Sequence, residues 1–231
     1  MDIACAVRVN EFRGLVEFTQ TQEEWDKRWE RDEIYYTVDF SNMPKLLTKG
    51  ELTRAVNIAM TTWDIEIPVK FKSIKGSAAD ITISFAKKED DDYFKDKPSV
   101  LAYAYFPGQG QFSGKVVFNA DYIWDLKGKG IKAKDAIKKG LIQNASYPDS
   151  IIRTYNIYQT LIHELGHSIG LRHDATGNGD GRDVMDPFYD GSVLDLSDRD
   201  IERIRDKYGV RQWKHKRYGR IKRWLKRTLR K

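Results

Sequence analysis

The chain has 231 residues, the length of one ordinary domain with room for extensions, and 40% hydrophobic and 12% aromatic residues favour a buried core over disorder. The net charge of +6 is unevenly distributed along the chain. Residues 211–231 hold eleven Lys and Arg and no Asp or Glu, so residues 1–210 hold 29 Lys and Arg against 34 Asp and Glu. No run of about 18 apolar residues predicts a membrane-spanning helix, and the single cysteine, Cys5, excludes an internal disulfide bond.

Residues 1–30 are predicted to form an N-terminal extension. The apolar stretch 3–7 is too short for the core of a secretion signal and follows Asp2 rather than basic residues, so no export signal is visible. Within residues 23–29, Trp25 and Trp29 stand four apart, which is typical of one face of a short helix packed on the domain edge.

A domain over residues 31–210 is predicted to combine strands and helices. Its strands are rich in β-branched and aromatic residues or alternate in polarity. A stripe of apolar residues at helical spacing predicts a helix from about residue 48 to 63. The predicted strands are 33–40, 69–74, 81–85, 100–106 and 116–119. This order predicts an α+β fold with one mixed, twisted five-stranded sheet, an active-site helix, a second packing helix and a C-terminal helix.

Two charged segments interrupt this pattern. Residues 89–92 are acidic, and a solvated turn is favoured there over a cation site. Residues 126–139 are basic with two glycines, which indicates an exposed insertion whose second half is compatible with a helix.

Three of the four histidines fall within eleven residues. His163 and His167 stand four apart, so both imidazoles leave one face of a helix expected over about residues 150–170. Gly170 can end that helix in the left-handed conformation and return His173 as a third ligand. Three imidazoles with one open position are typical of a catalytic zinc, and Glu164 is placed to act as general base on a metal-bound water.

The last domain helix is predicted after residue 196. Ser197 is suited to cap its first turn, where Asp198 and Asp200 complement the helix dipole, and Tyr208 with Gly209 is expected to end it.

These segments together resemble the matrixin branch of the metzincin zinc endopeptidases. The resemblance rests on the metal motif at 163–173, a Met-containing turn at 184–189, the stretches 79–86 and 101–108, and the closing helix at 196–209. It covers about residues 30–210 in the same order, so it implies a matrixin-like zincin fold and a zinc-dependent metalloendopeptidase.

The resemblance also implies roles for residues around the metal. Met185 would form an apolar floor beneath the three imidazoles without binding the metal. A strand would form the upper rim of the cleft and pair with an extended peptide, and two residues after Met185 would form a wall of the pocket beyond the scissile bond. The substrate-binding residues implied in this way are Leu101, Ala102, Tyr103, Ala104, Pro187 and Tyr189.

The sequence departs from the matrixin pattern where that family binds further metals. Tyr103 and Val117 occupy positions where the family has histidines for a structural zinc, so we predict one zinc per chain. Lys115 and Asn119 stand where the family has acidic calcium ligands. The family's calcium sites are therefore not expected here. Residues 178–183 look like part of a calcium loop but lack its closing Glu, so a tight polar turn is favoured there over a calcium site.

Latency by a pro-segment cysteine is not expected. Cys5 lacks the Pro-Arg-Cys-Gly context that the family uses, and simple packing is the favoured role for it.

Residues 211–231 form a basic tail. Tyr218, Ile221, Trp224, Leu225 and Leu229 would share one face if the tail were helical, as in cationic segments that lie on anionic membranes or bind nucleic acid. A solvated tail is the alternative, and the apolar face favours a membrane slightly.

The function predicted from these features is a monomeric endopeptidase that cleaves peptide bonds with a zinc-bound water activated by Glu164. The alternative is a membrane- or nucleic-acid-binding protein whose protease domain is secondary or inactive. The matrixin resemblance suggests an extracellular setting, but the sequence leaves the compartment unknown.

Overall fold

A mixed β-sheet forms one layer of the domain. The structure, a computed structural model, describes residues 5–8, 27–76, 78–174, 183–186, 193–212 and 215–229. Its strands are β1 Cys5–Arg8, β2 Glu33–Val38, β3 Lys70–Ser73, β4 Ile81–Ala86, β5 Val100–Ala104 and β6 Lys115–Asn119. They are arranged in the order β1-β5-β6-β4-β2-β3. Strands β2, β3, β4 and β6 are parallel to one another, whereas β5 is antiparallel to both β6 and β1.

The α+β architecture with a mixed sheet is confirmed, and all five predicted strands are present. Strand β1 is a sixth strand that the sequence did not predict, and it pairs with β5 at the sheet edge. Alternation is clear in β4, where Ile81, Ile83 and Phe85 are buried and the residues between them are partly exposed.

Six helices and four short strands complete the described fold. The helices are α1 Lys49–Asp64, α2 Asp92–Asp96, α3 Ala133–Lys138, α4 Ile157–Ser168, α5 Asp198–Tyr208 and α6 His215–Leu229. The short strands are β7 Trp124–Asp125, β8 Ile131–Lys132, β9 Ile151–Ile152 and β10 Tyr155–Asn156, and residues 110–112 form one 3₁₀ turn.

Helix α1 begins where its capping residues predict. Thr48 accepts a hydrogen bond from the Glu51 N–H, and the Glu51 carboxylate accepts one from the Thr48 N–H, which is the reciprocal arrangement of a capping box. Its apolar stripe is buried and packs against α4, with the Trp63 Nε1–H donating to the Ile162 carbonyl at 2.9 Å. The helix that carries the metal motif is therefore fixed against α1 through the core.

The start of α4 differs from the prediction. The helix begins at Ile157 rather than near residue 150, with Asn156 as N-cap accepting from the Tyr158 and Gln159 N–H groups at 2.9 and 3.3 Å. The preceding residues instead form β9 and β10, which pair with β8 and β7. Their partners lie some 20 to 30 residues earlier in the chain, so local periodicity does not reveal this pairing.

The basic tail is docked on the domain. Helix α6 buries Leu225, which is 3% exposed, and packs Tyr218 and Ile221 against the main core. Just before it, the Arg211 guanidinium donates to the carbonyls of Asp64 and Ile67 at 2.8 and 2.7 Å and to the Asp64 carboxylate. The domain boundary predicted at 210/211 therefore falls inside a network of contacts, because carbonyls far away in sequence accept from Arg211.

Across the parts of the chain that the structure describes, no helix is both long enough and apolar enough to cross a bilayer.

Candidate metal centre

His163, His167 and His173 come together as predicted. The Nε2 atoms of His163 and His167 are 2.9 Å apart, and those of His163 and His173 are 3.2 Å apart. Ligand nitrogens about 2.0–2.1 Å from a tetrahedral zinc lie about 3.3 Å from one another. Among the described residues, these three form the one group of His, Cys or acidic side chains with metal-binding spacing.

The second ring nitrogens of two ligands are held by backbone carbonyls. The Nδ1–H of His163 donates to the Val184 carbonyl, and the Nδ1–H of His167 donates to the Leu171 carbonyl, both at 2.6 Å. A carbonyl only accepts, so these bonds place the ring proton on Nδ1 and leave the Nε2 lone pairs facing each other. Lone pairs that converge in this way repel unless a cation lies between them, so the donor set fits zinc.

The environment also keeps the ligands neutral. Burial lowers the pKa of His163 to about 4, against the opposing effect of its bond to Val184. Burial and then the neighbouring His163 lower the pKa of His167 well below its usual range. Neutral imidazole is the form that binds a metal, so the site is prepared for an ion at neutral pH.

Glu164 lies on α4 directly after the first ligand and is 0% exposed. From its place in the motif, Glu164 is expected to face the open side of the histidine cluster. Its assignment as general base stays a prediction.

The turn that returns His173 is a Schellman motif. The Leu171 N–H donates to the Gly166 carbonyl and the Gly170 N–H to the His167 carbonyl, both at 2.8 Å. Gly170 has a φ of 98°, and a Cβ there would also approach the Lys27 carbonyl at 2.6 Å. Glycine at this position therefore satisfies both the backbone conformation and the packing, as predicted.

Met185 lies against the middle of α4 and is fully buried. A Cβ on Gly166 would overlap the Met185 sulfur and come within 3.1 Å of Trp63. Gly166 thus allows the turn to approach the helix between His163 and His167. The role of Met185 as a floor beneath the three imidazoles stays a prediction.

Asp200 of α5 binds the backbone of the turn that contains Val184 and Met185. Its carboxylate is 1% exposed and accepts from the Val184 N–H at 2.8 Å and the Met185 N–H at 3.3 Å, as well as from its capping partner Ser197. Burial raises the pKa of Asp200, and these donors oppose the rise. The sequence showed only a helix-capping role for Asp200, because its contact with the turn spans about 15 residues.

Asp174 fixes the other side of the third ligand. Its N–H donates to the Met185 carbonyl at 3.0 Å, and its buried carboxylate forms an ion pair with Arg199 of α5. Arg203, on the same helix, donates to the Arg172 carbonyl at 2.9 Å. Helix α5 therefore supports both the turn under the metal site and the loop that carries His173.

Two aromatic side chains close the C-terminal end of α4. The Trp29 Nε1–H donates to the Ser168 carbonyl and the Tyr208 hydroxyl to the Ile169 carbonyl, both at 2.9 Å. Trp29 lies in a non-helical segment, unlike the short helix that its spacing from Trp25 favoured, and Trp25 itself lies outside the described residues. Local sequence gives no signal for either cap.

The predicted rim strand is β5, and its outer edge is paired with β1. Cys5, Ala6 and Val7 lie opposite Ala104, Tyr103 and Ala102, and the register shifts between Val7 and Arg8. Helix α4 passes close to both strands. The chain's own N-terminal segment thus occupies the edge on which an extended substrate was expected to pair.

Tyr103 and Val117 lie in a small apolar cluster on β5 and β6 with Phe94, Val100 and Tyr105. The Tyr103 hydroxyl donates to the Asp91 carboxylate at 2.7 Å, and burial, reinforced by this carboxylate, raises the pKa of the Tyr103 phenol. Aromatic packing thus surrounds the two positions at which the family has histidines for a structural zinc.

The acidic segment at 89–92 is used in local structure. Asp91 caps the short helix α2 by accepting from the Phe94 N–H at 3.0 Å, and Asp92 pairs with Lys95 at 2.8 Å. The second half of the basic insertion forms α3. The predicted wall residues Pro187 and Tyr189, and residues 178–182 of the loop considered for calcium, lie outside the described residues.

Comparison with known proteins agrees with this geometry. The family profile described as Matrixin matches residues 28–209. The chain is 29% identical to matrix metalloproteinase-2 of Drosophila melanogaster over 80% of its own length and 21% of that relative. It is 29% identical to neutrophil collagenase of Homo sapiens over 79% of its length, and 31% identical to interstitial collagenase of Oryctolagus cuniculus over 80%, each covering 34% of the relative. The chain thus spans about a fifth to a third of these relatives.

Proposed function

Because this chain belongs to the matrixin family, we propose that it is a zinc-dependent endopeptidase whose histidine cluster holds the catalytic metal and whose Glu164 moves the proton. The observation that carries the proposal is the convergence of three imidazole Nε2 atoms, two of them with Nδ1 bound to carbonyls. The buried Glu164 directly follows the first of these histidines in the chain. All these groups come from residues 163–173, so a monomer suffices. The relatives also suggest an extracellular setting.

Zinc bound by His163, His167 and His173 would lower the pKa of a water to about 7 and polarise the scissile carbonyl. Glu164 would accept the proton of the attacking water and deliver it to the leaving amine. Burial suits this role, because a carboxylate removed from bulk water transfers its proton within the site rather than to solvent.

The peptide would bind extended along β5, over Leu101, Ala102, Tyr103 and Ala104, and so would take the place that β1 occupies. Antiparallel pairing of β1 with β5 indicates that this edge accepts a strand in that direction. Pro187 and Tyr189 are proposed as the wall of the pocket after the scissile bond, by family resemblance alone.

The decisive experiment compares cleavage of an internally quenched peptide library by the zinc-loaded protein and by Glu164→Gln. A lost proton-transfer step predicts a turnover lower by about 100- to 10,000-fold, with zinc content unchanged. Glu202→Gln on the exposed face of α5 is the matched control and should keep full activity.

A variant Glu164→Gln with near wild-type turnover would refute the role of Glu164. A folded, zinc-loaded protein that cleaves no peptide would refute the peptidase itself, and would favour the alternative of a binding protein with an inactive protease domain.

A further inference from the structure

Helix α6 is held in one orientation by a buried carboxylate. Glu66, 1% exposed, follows α1 and accepts from Arg205 of α5 at 2.6 Å and from Lys222 at 3.0 Å. The Tyr218 hydroxyl donates to the same carboxylate at 3.1 Å. Lys222 and Tyr218 belong to α6 and both bind this buried carboxylate, so these contacts fix α6 on the domain.

Docking divides the residues of α6 into an inner and an outer face. Tyr218, Ile221 and Leu225 face the core, and Lys222 reaches Glu66. The exposed side chains of α6 include Arg217, Arg220, Arg223, Trp224, Lys226 and Arg227, and the last five are here called the outer face of α6. The outer face thus carries four cations around one indole, on a helix that contains no acidic residue.

The outer face is compact and has the shape of a ridge. Positions 220, 223, 224 and 227 follow helical spacing, so they form one stripe with a length of about 10 Å at 1.5 Å per residue. Trp224 is 50% exposed in the middle of this stripe. An indole ring that is half-exposed among basic side chains indicates a partner with two properties. The partner carries negative charge, and it offers a region less polar than water in which the ring can be buried.

An anionic bilayer surface meets both requirements. Tryptophan is enriched at the membrane–water interface, and basic residues near an anionic leaflet are attracted to its headgroups. Phosphates of a nucleic-acid duplex would engage the cations but give the indole no comparable layer. Insertion of the whole apolar face of a free helix is disfavoured, because Leu225 and Ile221 are already used in the core.

We propose that the outer face of α6 holds this protein on anionic lipid bilayers while α6 stays docked on the domain. Binding is peripheral, and its orientation is set by Glu66 and Leu225. This goes beyond the proposed peptidase activity, which needs no residue of α6.

The test measures co-sedimentation with vesicles of phosphatidylserine and phosphatidylcholine at low salt, using the full chain. Each basic residue contributes about fivefold in affinity near an anionic leaflet, so the quadruple variant R220Q/R223Q/K226Q/R227Q should bind about 100-fold more weakly or worse. Wild-type protein should not bind vesicles of phosphatidylcholine alone.

A matched control removes four cations elsewhere. Lys127, Lys129, Lys138 and Lys139 are exposed on the basic insertion, and K127Q/K129Q/K138Q/K139Q has the same net charge as the first quadruple variant. The control should bind vesicles within a factor of about three of wild type, since small changes of this size correspond to less than 1 kcal/mol. An equal loss in both variants would mean attraction by net charge alone and would overturn the proposal.

Trp224→Ala separates lipid from nucleic acid. It should weaken vesicle binding and leave binding to duplex DNA unchanged. Tighter binding to DNA than to anionic vesicles, with no effect of Trp224→Ala on the vesicles, would assign the outer face to nucleic acid and refute the membrane proposal. Peptide cleavage in solution by the R220Q/R223Q/K226Q/R227Q variant should equal that of wild type, which establishes that the domain is folded.

Discussion

Replacing Asp200 by Asn should weaken zinc binding, although Asp200 does not touch the metal. Its Oδ2 accepts from the Val184 N–H and from Ser197, and its Oδ1 accepts from the Met185 N–H. The Val184 carbonyl in turn accepts from His163 Nδ1. The perturbation therefore reaches the ligand through one turn of backbone.

The size of the effect follows from the count of acceptors. The Asn amide keeps its oxygen at the Oδ2 position, where three donors converge, and turns its NH2 towards the Met185 N–H. One buried donor then loses its acceptor and faces another donor, which costs about 1–3 kcal/mol of stability. Asp200→Ala removes the acceptor for both turn N–H groups, so its cost should be about twice as large.

The consequence for the metal is estimated from the outer hydrogen bond of His163. Mutation of a group that hydrogen-bonds to a metal-binding histidine typically lowers metal affinity by about 10- to 100-fold. We expect Asp200→Asn to weaken zinc binding about 10-fold, measured by competition with a chromophoric chelator, and to lower the free energy of unfolding measured in urea.

Asp206→Asn is the control, because Asp206 lies on the exposed face of the same helix. It should leave both quantities unchanged. If Asp200→Asn lowers stability but zinc affinity stays within about twofold, the turn does not transmit the change to His163, and the coupling argued from these hydrogen bonds is refuted.

Three further predictions concern the turn, the metal count and the rim. Gly170→Ala should destabilise the fold by about 1–2 kcal/mol in urea, because a non-glycine residue is strained at its φ of 98°, and an unchanged midpoint would contradict this. Elemental analysis should find one zinc per folded chain, since Tyr103 and Val117 stand where the family has histidines and lie in an apolar cluster, and two tightly held zincs would disprove it. Deleting residues 1–8 should raise kcat/KM for a peptide, whereas an equal value would show that β1 does not obstruct β5.

Features with a local cause could be predicted from the sequence. Helix α5 begins at the Ser197 cap and ends at Gly209, and Gly170 ends α4, because capping and left-handed backbone depend on residues within one turn. Two of the predicted metal ligands follow from their spacing on α4, and the third follows from the turn at Gly170. The structure brings them together as the motif requires.

Features that depend on distant partners could not be predicted in this way. The pairing of β1 with β5 joins residues nearly 100 positions apart, and the contact of Glu66 with Tyr218 joins residues 152 apart. The tail pattern indicated an amphipathic helix correctly, but amphipathicity alone does not distinguish docking on a membrane from docking on the protein's own core. The ion pair of Lys222 with the buried Glu66 carboxylate accounts for docking on the protein's own core.

If peptides bind along β5 as proposed, strand β1 is an intramolecular competitor for the same edge. A segment tethered to its own binding edge acts at an effective concentration in the millimolar range, which dilution of the enzyme does not change. The apparent affinity for a substrate would fall by the fraction of molecules in which β5 is open, by the same factor for every peptide that binds this edge. A single cut between β1 and residue 27 would turn this tethered competitor into an ordinary dissociable peptide, and dilution would then relieve the block.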